Sequence, residues 1–545
     1  MSFKEIGQNV SISEKAWNAS TQEIFSPDLI GLIRELHLKF EPRRIQLLKE
    51  REERQANWDA GELPTYLDKN SEAIKGNWRI QNIPEDYQTR RVEITGPVND
   101  AKMVINMLSR NSEGFRADTA MLDFEDSMKP SFENVINGYK NVLGAAIGHL
   151  SYTKPATNKS PAKSYQINPE DMAGLMVRVR GLHLTETNIR VNNQPVHAGL
   201  LDLAVCFYLT ARKLLSRNKT PKYYIPKCEH HLEARWWNEA FCAIETSLGF
   251  KIPTLRATFL IETLPAAFQV EEILYETKEH IIGLNVGRWD KIFSDIKVLG
   301  KHADRISPDR AEINMSKHWM DNYAKRLIKI CHSRGAYAIG GMSAFTPGKD
   351  ADTREAQTQK VKADKQNEFD IGHDGCWVSH PYFIGHAMGA FTKSNQLERT
   401  LPDFDKNPDL LMDGKGKRTM GGLRTNLRVG IAYLEGWNKD LGCVSWDNMM
   451  EDLATLEISR AQVWQWLYHG ITLDSGEVVT KELINKIFTE ELDTINNEIK
   501  VNLKEADSKI LNTTLDSFKK AKDDAQSLFT KTELADFLST QSNLY

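Results

Sequence analysis

The chain lacks a long apolar run. Its most hydrophobic stretch, Gly199 to Ala211, is shorter than the ~20 residues that span a bilayer and contains Asp202. A buried helix is expected there, and no membrane partner. Charge of one sign is also lacking: 70 Lys and Arg face 74 Asp and Glu, well mixed, for a net charge of -4. No basic surface for nucleic acid is expected from such a balance. Cysteine is sparse, with six residues scattered at Cys206, Cys228, Cys242, Cys331, Cys376 and Cys443 and no Cys-x-x-Cys pair. Free thiols are the reading for an unexported chain. The first residues, MSFKEIGQNVSIS, have no apolar core of a signal peptide, and the last five, Gln541 to Tyr545, are not a peroxisomal address. The cytoplasm is the expected compartment. There is no Gly-x-Gly-x-x-Gly, and Gly348-Lys349 fails as a phosphate loop because Ser343 stands in place of glycine and Asp350 in place of Ser or Thr. No repeat of solenoid type is visible.

What remains is ordinary in bulk, with 41% hydrophobic and 26% charged residues, as in a soluble globular protein. Its 545 residues suffice for one large domain and smaller ones. Residues 1–89 read as helical, with Leu29, Leu32, Ile33, Leu36 and Leu38 at mostly helical spacing and no strong strand signal. From 90 to 400, short apolar segments alternate with helical patterns. They are 91–98, 119–125, 174–180, 223–227, 256–262, 281–286, 336–342 and 376–380. Eight such units fit an α/β fold, a closed (β/α)8 barrel, with an open doubly wound sheet as the alternative. Residues 151–171, rich in Ser, Thr, Lys and Pro, read as a surface insertion, and the polar stretch Lys349 to Asp374 as a second. A linker at 401–418 precedes a mostly helical region, 419–545, whose clearest helix is 451–470.

A barrel of this kind carries its chemistry at the C-terminal ends of its strands. The second segment ends in Asp123, Glu125, Asp126 and Ser127, the fourth at Lys227 and the fifth at Glu262. Strand alternation puts Arg256, Thr258, Leu260 and Glu262 on one face, and Met176, Arg178 and Arg180 on another. Two arginines inside a barrel demand anionic partners. Glu262 and Asp290, from adjacent units, suit a hard divalent cation. Neutralisation of the arginines by these acids is the other reading, and residues alone leave both open. His230 and His231 are adjacent and read as capping or lining a surface helix, while Trp236 and Trp237 read as packing. His373 and His380 flank the last segment and stand as lesser ligand candidates.

The segment Lys278 to Ser294, KEHIIGLNVGRWDKIFS, resembles the characteristic stretch of malate synthases. So do RRVEITGPV (90–98), KMVINML (102–108), DFEDS (123–127), RVRGLHL (178–184), LIETLPAAFQ (260–269), GGMSAFTP (340–347) and MEDLATLEISR (450–460). The resemblance, closest to the shorter A-type members, runs from about Ile30 to the end of the chain. It implies a TIM barrel with an N-terminal helical clasp and a C-terminal helical plug. It implies condensation of acetyl-CoA with glyoxylate to malate and CoA in the glyoxylate cycle. By resemblance, Arg178 is the catalytic arginine and Asp452 the general base. Glu262 and Asp290 are the Mg2+ ligands. Gly287, Arg288, Trp289 and Asp290 form the loop whose N–H groups receive the glyoxylate carboxylate. Glu125 and Asp126 are acids near the metal's water ligands, and Ser127 and Pro347 lie near acetyl-CoA. The sequence departs from the family at Lys291, where an aromatic Tyr is usual, and at Leu122, where Ala is usual. Rival expectations are a magnesium-dependent malyl-CoA or citramalyl-CoA lyase and a non-catalytic acyl-CoA-binding protein. A monomer is the expected state.

Overall fold

The computed structural model describes residues 2–156, 161–504 and 507–540. Part of the 151–171 insertion and the C-terminal five residues read for an address therefore lie outside the described residues. The chain forms two compact units: residues 1–53, 65–287 and 323–408, and residues 54–64, 288–322 and 409–545.

The first unit is built on a closed barrel of eight parallel strands. In chain order they are β1 (Val92–Pro97), β2 (Thr119–Asp123), β3 (Gly174–Arg178), β4 (Lys222–Ile225), β5 (Arg256–Ile261), β6 (Ile281–Val286), β7 (Tyr337–Ser343) and β8 (Gly375–Val378). Each strand pairs with the next, and β8 closes on β1 through Cys376 beside Val92. Closure removes both sheet edges and excludes the open doubly wound alternative. The strands are buried on both faces, which is why they read as near-continuous apolar runs. Met121, Met176, Tyr224, Leu260, Ile282, Ile339 and Trp377 pack together as one buried cluster. Inside the barrel, Arg90 and Glu93 form a fully buried ion pair at 2.7 Å. Thr258 at 3.1 Å and the Tyr224 hydroxyl at 2.8 Å accept the rest of that guanidinium, and Trp377 Nε1 donates to Glu93 at 2.9 Å. The ion pair is thus satisfied on every side, as burial requires. Gly375 is needed where β8 meets the chain ahead of β1, because a Cβ there would lie 1.6 Å from the Arg90 carbonyl oxygen.

The structure departs from the sequence reading in two places. Residues 1–89 are not wholly helical: Phe3–Gly7 and Val10–Ser13 are strands, joined to Thr185–Val191 and Gln194–His197 in a four-stranded antiparallel sheet. The partner is remote in sequence, so the local signal was two short runs. Lys349 to Asp374 is no loop excursion, since Ala351–Ile371 is the helix between β7 and β8. The insertion is an exposed hairpin of Ser151–Lys154 against Lys163–Gln166.

The second unit is helical. It contains α1 (Arg288–Val298), α2 (Met420–Asn438), α3 (Leu453–Tyr468), α4 (Lys481–Asn502) and α5 (Ser508–Phe529). Leu427, Ile431, Val463, Trp466, Phe488 and Phe529 belong to its buried core. No helix among the described residues is long and apolar enough to cross a membrane.

Candidate active site

At the C-terminal ends of the barrel strands, the first unit gathers a buried set of charges. Parallel pairing puts Asp123, the last residue of β2, beside Arg178, the last residue of β3. The two make a bidentate pair, Nε to Oδ1 at 2.6 Å and Nη2 to Oδ2 at 2.7 Å. Asp123 also accepts from the N–H groups of Glu125 and Ser127 at 2.9 Å each and from Ser127 Oγ at 2.5 Å. One carboxylate thus fixes both the arginine and the acidic turn that follows it. Burial pushes the Asp123 carboxyl up, but Arg178 outweighs it and holds the group below its ordinary value. The same pairing raises Arg178 well above its ordinary value against the cost of burial. Trp377 lies beneath the guanidinium, 5.9 Å from its carbon. With Nε and Nη2 committed, Nη1 faces Glu125 at 3.8 Å and Asp126 at 3.6 Å.

Lys227 closes the cluster. Its ammonium lies 2.6 Å from Asp126 and 3.2 Å from Glu125, and its backbone N–H donates to Glu262 Oε1 at 2.7 Å. Glu262 stands one residue beyond β5, almost fully buried. Burial pushes its carboxyl up, opposed by Lys227 and Arg178. Glu125 is pushed well above its ordinary range by burial and by Asp126, against the pull of Lys227 and Arg178. Gly287, just past β6, is a glycine by necessity: a Cβ would lie 2.3 Å from the Glu262 Cβ and 2.7 Å from its Oε2. Pro347 sits half-buried in the loop between β7 and Ala351–Ile371.

The second unit carries the other expected residues. Arg288, Trp289 and Asp290 form the first turn of α1, where backbone N–H groups lack partners within the helix and favour an anion. The Arg288 guanidinium stacks 4.8 Å from the Trp289 ring. Lys291 is buried and pairs with Asp295 one turn on, at 2.5 Å. Asp452 is the N-cap of α3: Oδ1 accepts from the Thr455 N–H at 3.2 Å, and Thr455 Oγ1 accepts from the Asp452 N–H at 3.0 Å.

Among the described residues, no three His, Cys, Asp or Glu side chains make a closed metal cage. The first unit still fits a divalent cation on two grounds. Glu125 Oε1 and Oε2 and Asp126 Oδ1 are buried without a hydrogen-bond donor. When ionised, the four carboxylates of Asp123, Glu125, Asp126 and Glu262 exceed the cations of Arg178 and Lys227 by two charges.

Three family models match: malate synthase, N-terminal domain, over residues 17–71; malate synthase, TIM barrel domain, over 174–408; and malate synthase, C-terminal, over 417–544. Malate synthase from Myxococcus xanthus is 43% identical over 488 residues, which cover 88% of each chain. Malate synthase A from Escherichia coli is 41% identical, covering 89% of this chain and 90% of the relative. Glyoxysomal malate synthase from Candida tropicalis is 40% identical, covering 86% of each. The chain belongs to the malate synthase family. Within that family frame, Arg178, Glu262, Gly287 to Asp290 and Pro347 fall in the matched barrel segment and Asp452 in the matched C-terminal segment. Glu125, Asp126 and Ser127 precede the matched barrel segment.

Arg180 departs from the sequence reading. β3 ends at Arg178, and Arg180 pairs with Asp202 at 2.8 Å and Glu186 at 2.9 Å instead of facing the barrel interior. His230 caps the helix His231–Ser247 and His380 caps the turn Pro381–Phe383. His373 is buried and bonded to the Ala338 carbonyl. Two residues had no assigned role in the sequence reading, Asp123 and Lys227. For Asp123 a signal was present: it lies two residues before Glu125 at the end of a strand. For Lys227 the decisive feature is a backbone conformation that sequence does not display.

Proposed function

We propose that the chain condenses the methyl carbon of acetyl-CoA with glyoxylate and hydrolyses the thioester product to malate and free CoA, with Mg2+ as cofactor. The observation that carries this reading is Arg178, clamped on two nitrogens by Asp123 and presenting its third toward the buried carboxyl groups of Glu125 and Asp126. A thioester methyl is a very weak acid, so its proton leaves only if the developing enolate oxygen is stabilised. Arg178 Nη1 supplies that stabilisation, and its fixed orientation removes the need to reorganise during the reaction. Asp452 takes the proton. Glu262 and Asp290 would hold Mg2+, with Glu125 and Asp126 receiving its water ligands. Such an ion, when bound, supplies Lewis-acid polarisation of the aldehyde. Backbone N–H groups of Gly287 and of Arg288, Trp289 and Asp290 would receive the glyoxylate carboxylate. Ser127 and Pro347 would lie near acetyl-CoA.

The match to the C-terminal malate synthase model, which includes Asp452, favours this reading over a malyl-CoA or citramalyl-CoA lyase. The proposal includes residues 419–545 as the C-terminal helical domain that carries Asp452. It also includes the cytoplasm as compartment, in keeping with cysteines that form no disulfide among the described residues. The test is thiol release from acetyl-CoA with glyoxylate, with and without Mg2+. Free CoA should appear only with both substrates and the ion. Cleavage of malyl-CoA without net thiol release would support the lyase instead.

A further inference from the structure

Lys227 touches three of the acidic groups through two atoms, its ammonium nitrogen and its backbone nitrogen, and this convergence comes with an unusual backbone. Its φ is +50°, a left-handed conformation that side chains with a Cβ rarely adopt. The turn is held from both sides. Its N–H donates to Glu262 Oε1 at 2.7 Å, and its carbonyl accepts from Arg51 Nη2 at 2.8 Å. Arg51 is itself gripped by both oxygens of Glu233 at 2.7 Å. The result sends the peptide toward one carboxylate and the side chain toward two others, Asp126 at 2.6 Å and Glu125 at 3.2 Å. The residue is 2% exposed, so this ammonium is not a mobile surface charge.

We infer that Lys227 is a positioning residue that sets how strongly the acidic cluster binds a divalent cation. The inference rests on the metal-binding reading above. The backbone N–H orients Glu262 whatever the side chain. The ammonium engages Asp126 Oδ2 and offsets the charge of Asp126 and Glu125. A cation bound by Glu262 then keeps more of its own charge for a substrate oxygen. Without the ammonium the cluster has one positive charge fewer to offset its carboxylates and grips a cation too tightly.

The experiment is calorimetric titration of Mg2+ into the full-length wild type, Lys227→Met and Lys227→Arg, in the absence of substrates. Lys227→Met keeps the backbone contact to Glu262 and removes the charge, so Kd for Mg2+ should fall by about tenfold or more. Lys227→Arg keeps the charge and should stay within about threefold of wild type. A Kd in Lys227→Met that is unchanged or raised overturns the inference while leaving the metal reading intact. No Mg2+ binding by the wild type overturns both. Should Lys227→Met fail to fold, Lys227→Gln removes the same charge while retaining a polar head, and its Kd must fall in the same direction or the inference is lost. A lysine with a merely structural role would lower stability without tightening Mg2+.

Discussion

In the proposed reaction Asp452 would perform two tasks with one carboxylate, and they can be separated. As N-cap of α3 it accepts from the Thr455 N–H, and the reciprocal bond from its own N–H to Thr455 completes a capping box. Asn is as good a cap as Asp because its side-chain oxygen accepts in the same way, but it cannot take a proton from carbon. Asp452→Asn should therefore keep the wild-type melting temperature and lose most turnover. Asp452→Ala should lose turnover and also about 1 kcal/mol of stability. Denaturant midpoints measured beside kcat separate the two effects. Near-normal turnover in Asp452→Asn removes it as the base. The departure at Lys291 shows the same economy. A lysine in a buried position would be costly alone, and Asp295, one helical turn away, receives its ammonium. Burial pushes the Asp295 carboxyl up to about 6 even against that lysine.

At the scale of elements, the barrel strands were legible because each is buried on both faces, so eight apolar runs survived in the sequence without needing alternation. The site was legible where strand alternation applied, as with Thr258, Leu260 and Glu262. It failed one step past the strand end, where Arg180 turns away to Asp202. Strands whose ladder partners lie far along the chain, such as Val10–Ser13 against Thr185–Val191, left only a brief local trace. β8 carries a testable consequence. His373 precedes it, buried and bonded through Nδ1 to the Ala338 carbonyl at 3.2 Å. Burial lowers it from 6.5 to about 4. The unfolded chain therefore binds a proton that the folded chain refuses as pH falls through that interval. Stability contributed by neutral His373 is full above pH 6.5, declines below it and is gone below about pH 4, a loss of about 3 kcal/mol. His332 moves the other way, since its bond to Asp374 raises it above its ordinary value, but that contribution is common to parent and variant. Urea midpoints of His373→Gln should vary less between pH 6.5 and 5 than those of the parent. Equal slopes would place the acid sensitivity elsewhere.

The whole molecule divides its expected catalytic groups between its units: Arg178 and Glu262 belong to the first, Asp290 and Asp452 to the second. Each unit has its own buried apolar cluster, so each set of side chains is supported by its own packing. In the proposed reaction Arg178 and Asp452 nevertheless serve one acetyl-CoA, with Asp452 removing the methyl proton and Arg178 stabilising the negative charge that develops on the enolate oxygen. Proton removal and enolate stabilisation are then one event, and losing either forfeits the other. Arg178→Lys keeps a charge but loses the planar fork that Asp123 grips, and should cut kcat by about a hundredfold or more. Asp452→Asn should cut it by about a hundredfold or more as well. The double variant should be scarcely slower than the slower single, because groups that serve one step do not contribute independently. Steady-state thiol release from the four proteins measures this directly. Multiplicative losses, to about ten-thousandfold, would mean that the arginine and the aspartate serve separate steps, and the concerted enolisation proposed here would have to be abandoned.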